Sequence, residues 1–198
     1  MARTPTYDRE AVLHKALDLF WTKGYHVTSL KDLEKALDMR PGSIYSAFGS
    51  KEKLCVEALE LYAERGQEKF ENTVSEADSL IAGLANHVRG FGSIGDREVP
   101  ARACMLVKTV LETPDDDPVL RKKAEELMRG VEDSFAGVFR HAKTAGELPL
   151  DADPNRLARW LQTQIFGLRV YAQRNVSGSK IRMLAEDIAH SIECLCRT

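Results

Sequence analysis

Several signals that identify common classes of protein are absent from this sequence. No apolar run approaches the roughly 18 residues that a membrane-spanning helix needs, and the opening MARTPTYDRE has no apolar stretch like that of a secretory signal. We therefore expect a cytoplasmic protein with no membrane partner. HExxH and CxxC metal motifs, a glycine-rich phosphate loop and a nucleophile–base spacing are also missing. We expect no metal, no cofactor and no catalytic residues.

Cysteine is sparse and scattered, and a cytosolic chain of 198 residues does not need a disulfide scaffold. Cys194 and Cys196 are one residue apart, which would place them about 200° apart on a helix and prevent them from sharing a metal ion. The five histidines show no zinc-binding spacing either. We expect four free thiols, on Cys55, Cys104, Cys194 and Cys196.

The net charge of −2 argues against a surface that is basic throughout, but the charge is unevenly distributed. Residues 1–55 contain nine Lys and Arg against seven Asp and Glu, so their net charge is +2 and the remainder carries −4. This asymmetry weakly favours the N-terminal part as the one that meets a polyanion.

Helical periodicity recurs along the whole chain, and no alternating strand pattern persists, so the sequence predicts an all-α fold of about nine helices. Asp8 is a good N-cap for a first helix that ends at Gly24. The expected inward face of this helix is Leu13, Ala16, Leu17 and Phe20.

Two short helices then follow. Ser29 and Asp32 form a capping box at the start of the second helix, whose expected inner face is Leu30, Leu33 and Leu37. Pro41 suits the first position of a third helix that runs to Phe48. A long fourth helix is predicted at 51–72, after Ser50, and five more are predicted at 78–94, 101–113, 117–144, 153–174 and 179–196.

Two short helices after a longer one form a helix-turn-helix arrangement, which places its second short helix in the major groove of DNA. That helix keeps Ile44, Ala47 and Phe48 for the core. Its remaining residues are small or hydrogen-bonding, as contact with base edges and phosphates requires. They are Arg40, Pro41, Gly42, Ser43, Tyr45 and Ser46. Lys51 adds charge at a helix start that already favours an anion.

The ordered residues at 28–33, 40–48 and 50–54 closely resemble the TetR/AcrR family signature, and the match covers about residues 8–60. The resemblance implies an N-terminal three-helix DNA-binding domain, 1–55, and a C-terminal helical domain, 56–198, for effector binding and dimerisation. It places Pro41, Gly42, Ser43 and Lys31 at base-contacting positions, and Thr28, Ser29, Tyr45 and Lys51 at phosphate-contacting positions. Ser46 departs from the family pattern, because many relatives carry a ring there.

Members of this family are homodimers that pair their last two helices, here 153–174 and 179–196. The resemblance implies a repressor that a small ligand or thiol modification releases from a palindromic double-stranded operator. A small helical enzyme or a protein-binding adaptor is the alternative. The apolar stripes expected to pair are Leu157, Leu161, Ile165 and Leu168 on the first helix, and Ile181, Leu184, Ile188 and Ile192 on the second.

The effector site has no motif of its own, and each candidate also suits an ordinary core position. Cys104 lies in a stretch that resembles one branch of the family, some of whose members sense electrophiles or oxidants, but an unpaired cysteine usually behaves as a small buried hydrophobic residue. Lys108 could pair with Glu112 or meet an acidic ligand. The candidate lining is Phe91, Cys104, Met105, Lys108, Leu111, Phe135, Phe139, Trp160, Gln164 and Tyr171.

Overall fold

A computed structural model of the chain describes residues 7–96, 103–113 and 118–196. These residues form nine α-helices and no β-strand, which confirms the predicted all-α fold. The helices are α1 (Arg9–Lys23), α2 (Leu30–Leu37), α3 (Pro41–Phe48), α4 (Lys51–Ser75), α5 (Leu80–Phe91), α6 (Met105–Glu112), α7 (Pro118–Thr144), α8 (Pro154–Tyr171) and α9 (Gly178–Glu193). Short 3-10 helices follow α5, at Gly92–Asp96, and α9, at Cys194–Cys196.

The described residues form two compact units. The N-terminal unit takes its residues from 1–63 and 105–125, and the C-terminal unit from 64–104 and 126–198. The sequence predicts a single boundary, at residue 55, which would place α6 in the second part. In the structure α6 belongs to the N-terminal unit. The functions assigned to 1–55 and 56–198 stay a prediction.

Helix α1 begins and ends where the sequence indicates. The Asp8 carboxylate accepts hydrogen bonds from the backbone N–H groups of Glu10 and Ala11, and Gly24 ends the helix with φ at 89°, a backbone conformation that glycine adopts without strain. The buried face differs by one residue from the prediction, because Val12 is buried and Leu13 is only half-buried. The other buried residues are Ala16, Leu17 and Phe20.

The far end of α1 is held by a lysine from α6. The Lys108 ammonium donates hydrogen bonds to the carbonyl oxygens of Trp21, at 3.0 Å, and Thr22, at 2.8 Å. These carbonyls lie in the last turn of α1, where backbone oxygens have no partner within the helix and the helix dipole favours a cation. Lys108 therefore joins two segments of the N-terminal unit that lie far apart in sequence.

Helices α2 and α3 follow local sequence rules closely. The Ser29–Asp32 capping box is present in full, and Pro41 occupies the first turn of α3. Ile44 and Phe48 are buried, which leaves most of the α3 surface exposed. Ala47, predicted to face the core, is only half-buried.

The core of the C-terminal unit is built from α4, α5, α7, α8 and α9. Its largest fully buried side chains include Phe139, Leu84 and Leu161. The Glu147 carboxylate caps the start of α5 by accepting hydrogen bonds from the backbone N–H groups of Leu80, at 3.2 Å, and Ile81, at 2.9 Å. A carboxylate at this position also interacts favourably with the helix dipole.

His87 is one of two buried polar side chains among the described residues of this unit, and Gln162 is the other. The His87 ring lies within 5.0 Å, between ring centroids, of Phe70 and Phe91, and its Nδ1 atom is buried without a hydrogen-bond partner. Burial, aided by the charges of Lys69 and Arg169, lowers the pKa of His87 to about 4. His87 is therefore neutral at physiological pH.

The helix bounds differ from the predicted ones mainly at the ends. Ser79 caps α5 through a hydrogen bond from the Ala82 N–H group, and the chain tightens into a 3-10 turn at Gly92, so α5 is shorter than 78–94. The predicted helix 101–113 begins at Met105 in the described residues, and positions 101 and 102 lie outside them. In the part of the chain that the structure describes, no helix is long and apolar enough to cross a membrane.

We expect His87 to make the stability of the C-terminal unit depend on pH. The folded state keeps the pKa near 4, whereas the unfolded chain has the ordinary value of 6.5, so only the unfolded chain takes up a proton as the pH falls between these values. The stability is complete above pH 6.5 and should fall by about 2 kcal/mol between pH 7.5 and pH 5. Urea denaturation at both pH values measures this change. His87→Phe, which keeps a ring but cannot titrate, should lose that part of the pH dependence, and equal dependence in both proteins would contradict the prediction.

The Lys108 contacts predict a loss of stability in Lys108→Met. This variant keeps most of the apolar stem but leaves the Trp21 and Thr22 carbonyls without the ammonium, at a cost of about 2 kcal/mol. Urea denaturation at pH 7 measures the change. Glu112→Gln is the matched control, since its carboxylate lies 3.8 Å from the ammonium on a half-exposed side chain and should contribute less than about 1 kcal/mol. Equal losses in the two variants would show that the carbonyl contacts are not the source.

Candidate nucleic-acid interface

The exposed face of α3 consists of polar residues and a glycine. Arg40, Gly42, Ser43, Tyr45 and Ser46 are exposed, in agreement with the expectation that they face away from the core, and Pro41 is half-buried. None of these side chains is a branched aliphatic group that would obstruct a DNA groove. The face can therefore offer a guanidinium, three hydroxyls and backbone groups to a partner.

Gly42 leaves the α3 backbone uncovered by a side chain at this position on the exposed face. A Cβ atom built at Gly42 would have no heavy atom within 4 Å, apart from its neighbours and its own helix backbone, so the protein itself does not require a glycine here. The absence of a side chain instead lets another molecule approach the α3 backbone closely. This is a property of the surface, not of the core.

The start of α4 adds a lysine beside this face. The Ser50 hydroxyl accepts a hydrogen bond from the Lys53 N–H group at 3.0 Å and so caps the helix. The Lys51 ammonium lies 4.3 Å from the centroid of the Tyr25 ring, within the range of a cation–π interaction. Burial lowers the pKa of Lys51, while the charges of Cys55 and Asp32 act to raise it. The site therefore concentrates positive charge at a helix start.

The start of α2 is already occupied by an acid. The Asp32 carboxylate accepts hydrogen bonds from the Ser29 N–H group at 2.7 Å and the Ser29 hydroxyl at 2.6 Å, and it pairs with the Lys23 ammonium at 2.6 Å. These three contacts hold the pKa of Asp32 well below its usual range. A phosphate approaching Ser29 would therefore compete with a carboxylate, which the capping-box pattern alone does not reveal.

The structure corrects the expectation for Thr28. Its side chain is only 1% exposed, and its hydroxyl donates a hydrogen bond to the Gly24 carbonyl oxygen. The buried hydroxyl holds the turn between α1 and α2 and is not placed to contact a phosphate. Lys31, by contrast, is exposed on α2.

The candidate effector residues do not all belong to one unit. Met105, Lys108 and Leu111 lie in the N-terminal unit, and the others lie in the C-terminal unit. Lys108 is bound to the end of α1, which accounts for its charge without an acidic ligand, although Glu112 also lies within 3.8 Å. Leu111 is 77% exposed, which does not fit a pocket-lining residue within its own unit.

The C-terminal candidates are mainly core residues. Phe135 and Phe139 are fully buried, whereas the half-buried candidates are Phe91, Trp160, Gln164 and Tyr171. His87, which the sequence suggests only as a possible metal ligand, lies beside Phe91 and Phe135 in an aromatic cluster. No motif marks such a residue, since the cluster joins α4, α5 and α7.

Two of the four thiols are buried, and the two near the end of α9 are at least partly exposed. Cys104 is 5% exposed and Cys55 is buried, while Cys194 lies 3.5 Å from the His190 ring nitrogen on α9. None of the four cysteines forms a disulfide, as expected. Among the described residues, no group of three or more His, Cys, Asp or Glu side chains is arranged to hold a metal ion.

Comparisons with known proteins match both parts of the chain. The family model described as "Bacterial regulatory proteins, tetR family" matches residues 12–58, and the model described as "Tetracyclin repressor-like, C-terminal domain" matches residues 81–177. The HTH-type transcriptional repressor ComR of Escherichia coli is 28% identical over 186 residues, which cover 92% of this chain and 88% of ComR. The HTH-type transcriptional regulator YezE of Bacillus subtilis is 30% identical over 175 residues, which cover 87% of this chain and 90% of YezE.

Solved structures agree with these matches. A cysteine mutant of the TetR family transcriptional regulator CifR, complexed with 26-bp double-strand operator DNA, has a TM-score of 0.87 and is 30% identical. The alignment covers 96% of this chain and 99% of that chain. Together with the helix-turn-helix geometry, these matches show that the chain belongs to the TetR family of bacterial regulatory proteins and is a transcriptional regulator, not an enzyme.

Proposed function

We propose that this regulator is a cytoplasmic, homodimeric repressor that binds a palindromic double-stranded operator and leaves it when a small ligand or thiol modification changes its conformation. The polar, glycine-containing face of α3 is the observation that carries the proposal. Its likeness to CifR, whose structure contains operator DNA, and to the repressor ComR supports the same function.

The proposed contacts divide into base readers and phosphate contacts. The first turn of α3 would lie against base edges through Pro41, Gly42 and Ser43. Arg40, just before this turn, would reach a guanine edge or a phosphate. Lys31 on α2 would also reach bases, phosphates would be met by Ser29, Tyr45 and Lys51, and Ser46 completes the set on the exposed side of α3. Thr28 is omitted because its hydroxyl is buried. Of the two groups, the α3 start determines sequence preference and the other supplies salt-dependent affinity.

A dimer follows from the spacing of operator half-sites. Two recognition helices must lie about 34–36 Å apart to enter successive major grooves on one side of the DNA. The predicted stripes need revision, because Leu161, Ile165 and Ile181 are buried within a single chain. The apolar groups that remain exposed on α9 are Met183, at 66%, and Leu184, at 36%. We propose that this surface of α9, together with α8, pairs with a second copy.

The effector response is a population shift. A ligand releases the operator only if it binds more tightly to a conformation in which the two recognition helices no longer match the half-sites. Cys104 is the thiol proposed for modification, and its burial means that a reagent reaches it only after local opening. Operator release that persists unchanged in Cys104→Ser would exclude that thiol.

Gly42→Leu should separate folding from DNA binding. The new side chain has open space in the protein, and leucine favours a helix more than glycine does. The thermal unfolding temperature should therefore not fall. The same side chain would block the groove, and we expect operator affinity to fall at least about 100-fold, roughly 3 kcal/mol. Gel retardation with DNA from the region upstream of the gene measures this.

Gly66→Leu is the matched control for Gly42→Leu. Gly66 also has open space around it, but it lies on α4, away from the proposed interface. Its substitution should leave DNA binding unchanged. Normal binding by Gly42→Leu would contradict the proposed use of α3.

The dimer surface predicts that Met183→Glu combined with Leu184→Glu produces a monomer. Two carboxylates placed in an apolar contact oppose association because each must be desolvated. Sedimentation velocity should show the smaller species, and operator affinity should fall because one half-site alone is bound. Leu150→Glu, at a leucine that is 88% exposed before α8, is the control and should remain dimeric. A dimer in the double variant would place the interface elsewhere.

A further inference from the structure

Lys51 occupies an electrostatically unfavourable position. It is the first residue of α4, where the exposed backbone N–H groups and the helix dipole already create partial positive charge. Its ammonium is also partly removed from water, which lowers its pKa. A cation here reduces the stability of the free protein, and it becomes favourable when an anion arrives.

The Tyr25 ring offsets part of this cost. The face of an aromatic ring attracts a cation, and the Lys51 ammonium lies 4.3 Å from the Tyr25 centroid. Two neighbouring rings fix the Tyr25 ring in turn. Phe20 lies 6.2 Å away and His26 lies 5.0 Å away, between centroids, and the His26 and Tyr25 ring planes are nearly perpendicular, at 82°. The ring that meets the ammonium is therefore held in place before any partner binds.

A ring and a carboxylate would hold this lysine with different consequences. A carboxylate in direct contact would neutralise the ammonium, whereas a ring is uncharged and leaves the full positive charge available. The charge of the Asp32 carboxylate acts on Lys51, but the Oδ2 atom of Asp32 is hydrogen-bonded to Ser29 and paired with Lys23. The arrangement orients Lys51 and preserves its charge.

We propose that Tyr25 is a positioning residue of the DNA interface, whose ring face holds the Lys51 ammonium at the start of α4, ready to contact a backbone phosphate. The proposal rests on the proposed DNA-binding function. The phosphate would meet the ammonium and the N–H groups of the first turn of α4 together. Tyr25 itself contacts Lys51 and acts on DNA only through it.

A double-mutant cycle on the full chain tests this role. Operator affinity is measured by fluorescence anisotropy for the wild type, Tyr25→Leu, Lys51→Met and the double variant. Tyr25→Leu removes the ring face and should weaken binding about 3- to 10-fold per protomer. In the Lys51→Met background the same substitution should change affinity less than about 2-fold, because the group that Tyr25 positions is already gone.

The conservative variant separates positioning from general packing. Tyr25→Phe keeps the ring face and should bind within about 2-fold of the wild type. Lys51→Met should reduce the slope of log affinity against log salt by about 0.9 per protomer, and Tyr25→Leu should reduce it in the same direction. Thermal unfolding identifies any variant that has lost its fold, and Tyr25→Ile then replaces Tyr25→Leu in the cycle.

Proton NMR detects the contact between the Tyr25 ring and Lys51 in the absence of DNA. In the wild type and in Tyr25→Phe, the Lys51 methylene protons next to the ammonium should be shifted upfield by the ring current, and in Tyr25→Leu they should return to ordinary lysine values. Their absence in Lys51→Met assigns the signal. Ordinary values in the wild type would overturn the proposal.

The outcomes for Tyr25 and for the proposed function are distinct. If the wild type binds DNA but Tyr25→Leu reduces operator affinity by the same factor with and without Lys51, Tyr25 is only a packing residue. The inference about Tyr25 then fails while the proposed function stands. If the wild type does not bind DNA from its upstream region at low salt, the proposed function fails, and the role of Tyr25 fails with it.

Discussion

The attachment of α3 through Ile44 and Phe48 is the constraint on which the interface depends. An eight-residue helix is too short to be stable alone, so these two buried side chains must hold it in place. The Phe48 ring is also contacted by the Arg9 guanidinium at 4.8 Å, and Arg9 forms an ion pair with Glu57 at 2.6 Å. α1, α3 and α4 therefore meet around one aromatic ring. Every exposed group on α3 takes its direction from this attachment.

The electrostatics of the N-terminal unit are arranged locally and not by net charge. Asp32 places an acid close to a surface that we propose for a polyanion, but its Oδ2 atom is paired with Lys23 and hydrogen-bonded to Ser29. Lys51 meets a ring instead of an acid and retains its charge. A count of charges, +2 over residues 1–55, gives little indication of this division between engaged and available groups.

The features that the sequence predicts well are those determined by neighbours in the chain. Asp8, the Ser29–Asp32 pair and Pro41 act on backbone groups within a few residues, so their roles can be read from spacing. The exposed side of α3 was also predictable, because helical periodicity separates it from Ile44 and Phe48.

The features that the sequence does not predict depend on partners distant in sequence, or on whether a side chain is buried within the chain or against a second copy. The hydroxyl of Thr28 can cap, contact a phosphate or bond to a turn, and only the fold shows that it bonds to Gly24. Apolar stripes on α8 and α9 look the same whether a side chain packs within the chain or against a second copy. Leu161 and Ile181 do the former.

The hydrogen bonds from Lys108 to the end of α1 have a consequence for how the protein is made. The ribosome synthesises the chain from its N-terminus, so α1 to α3 emerge long before residue 108 does. Until then the last carbonyls of α1 lack the ammonium that they bind in the finished protein. The N-terminal unit, although its first helices are translated early, is complete only after α6 has been synthesised.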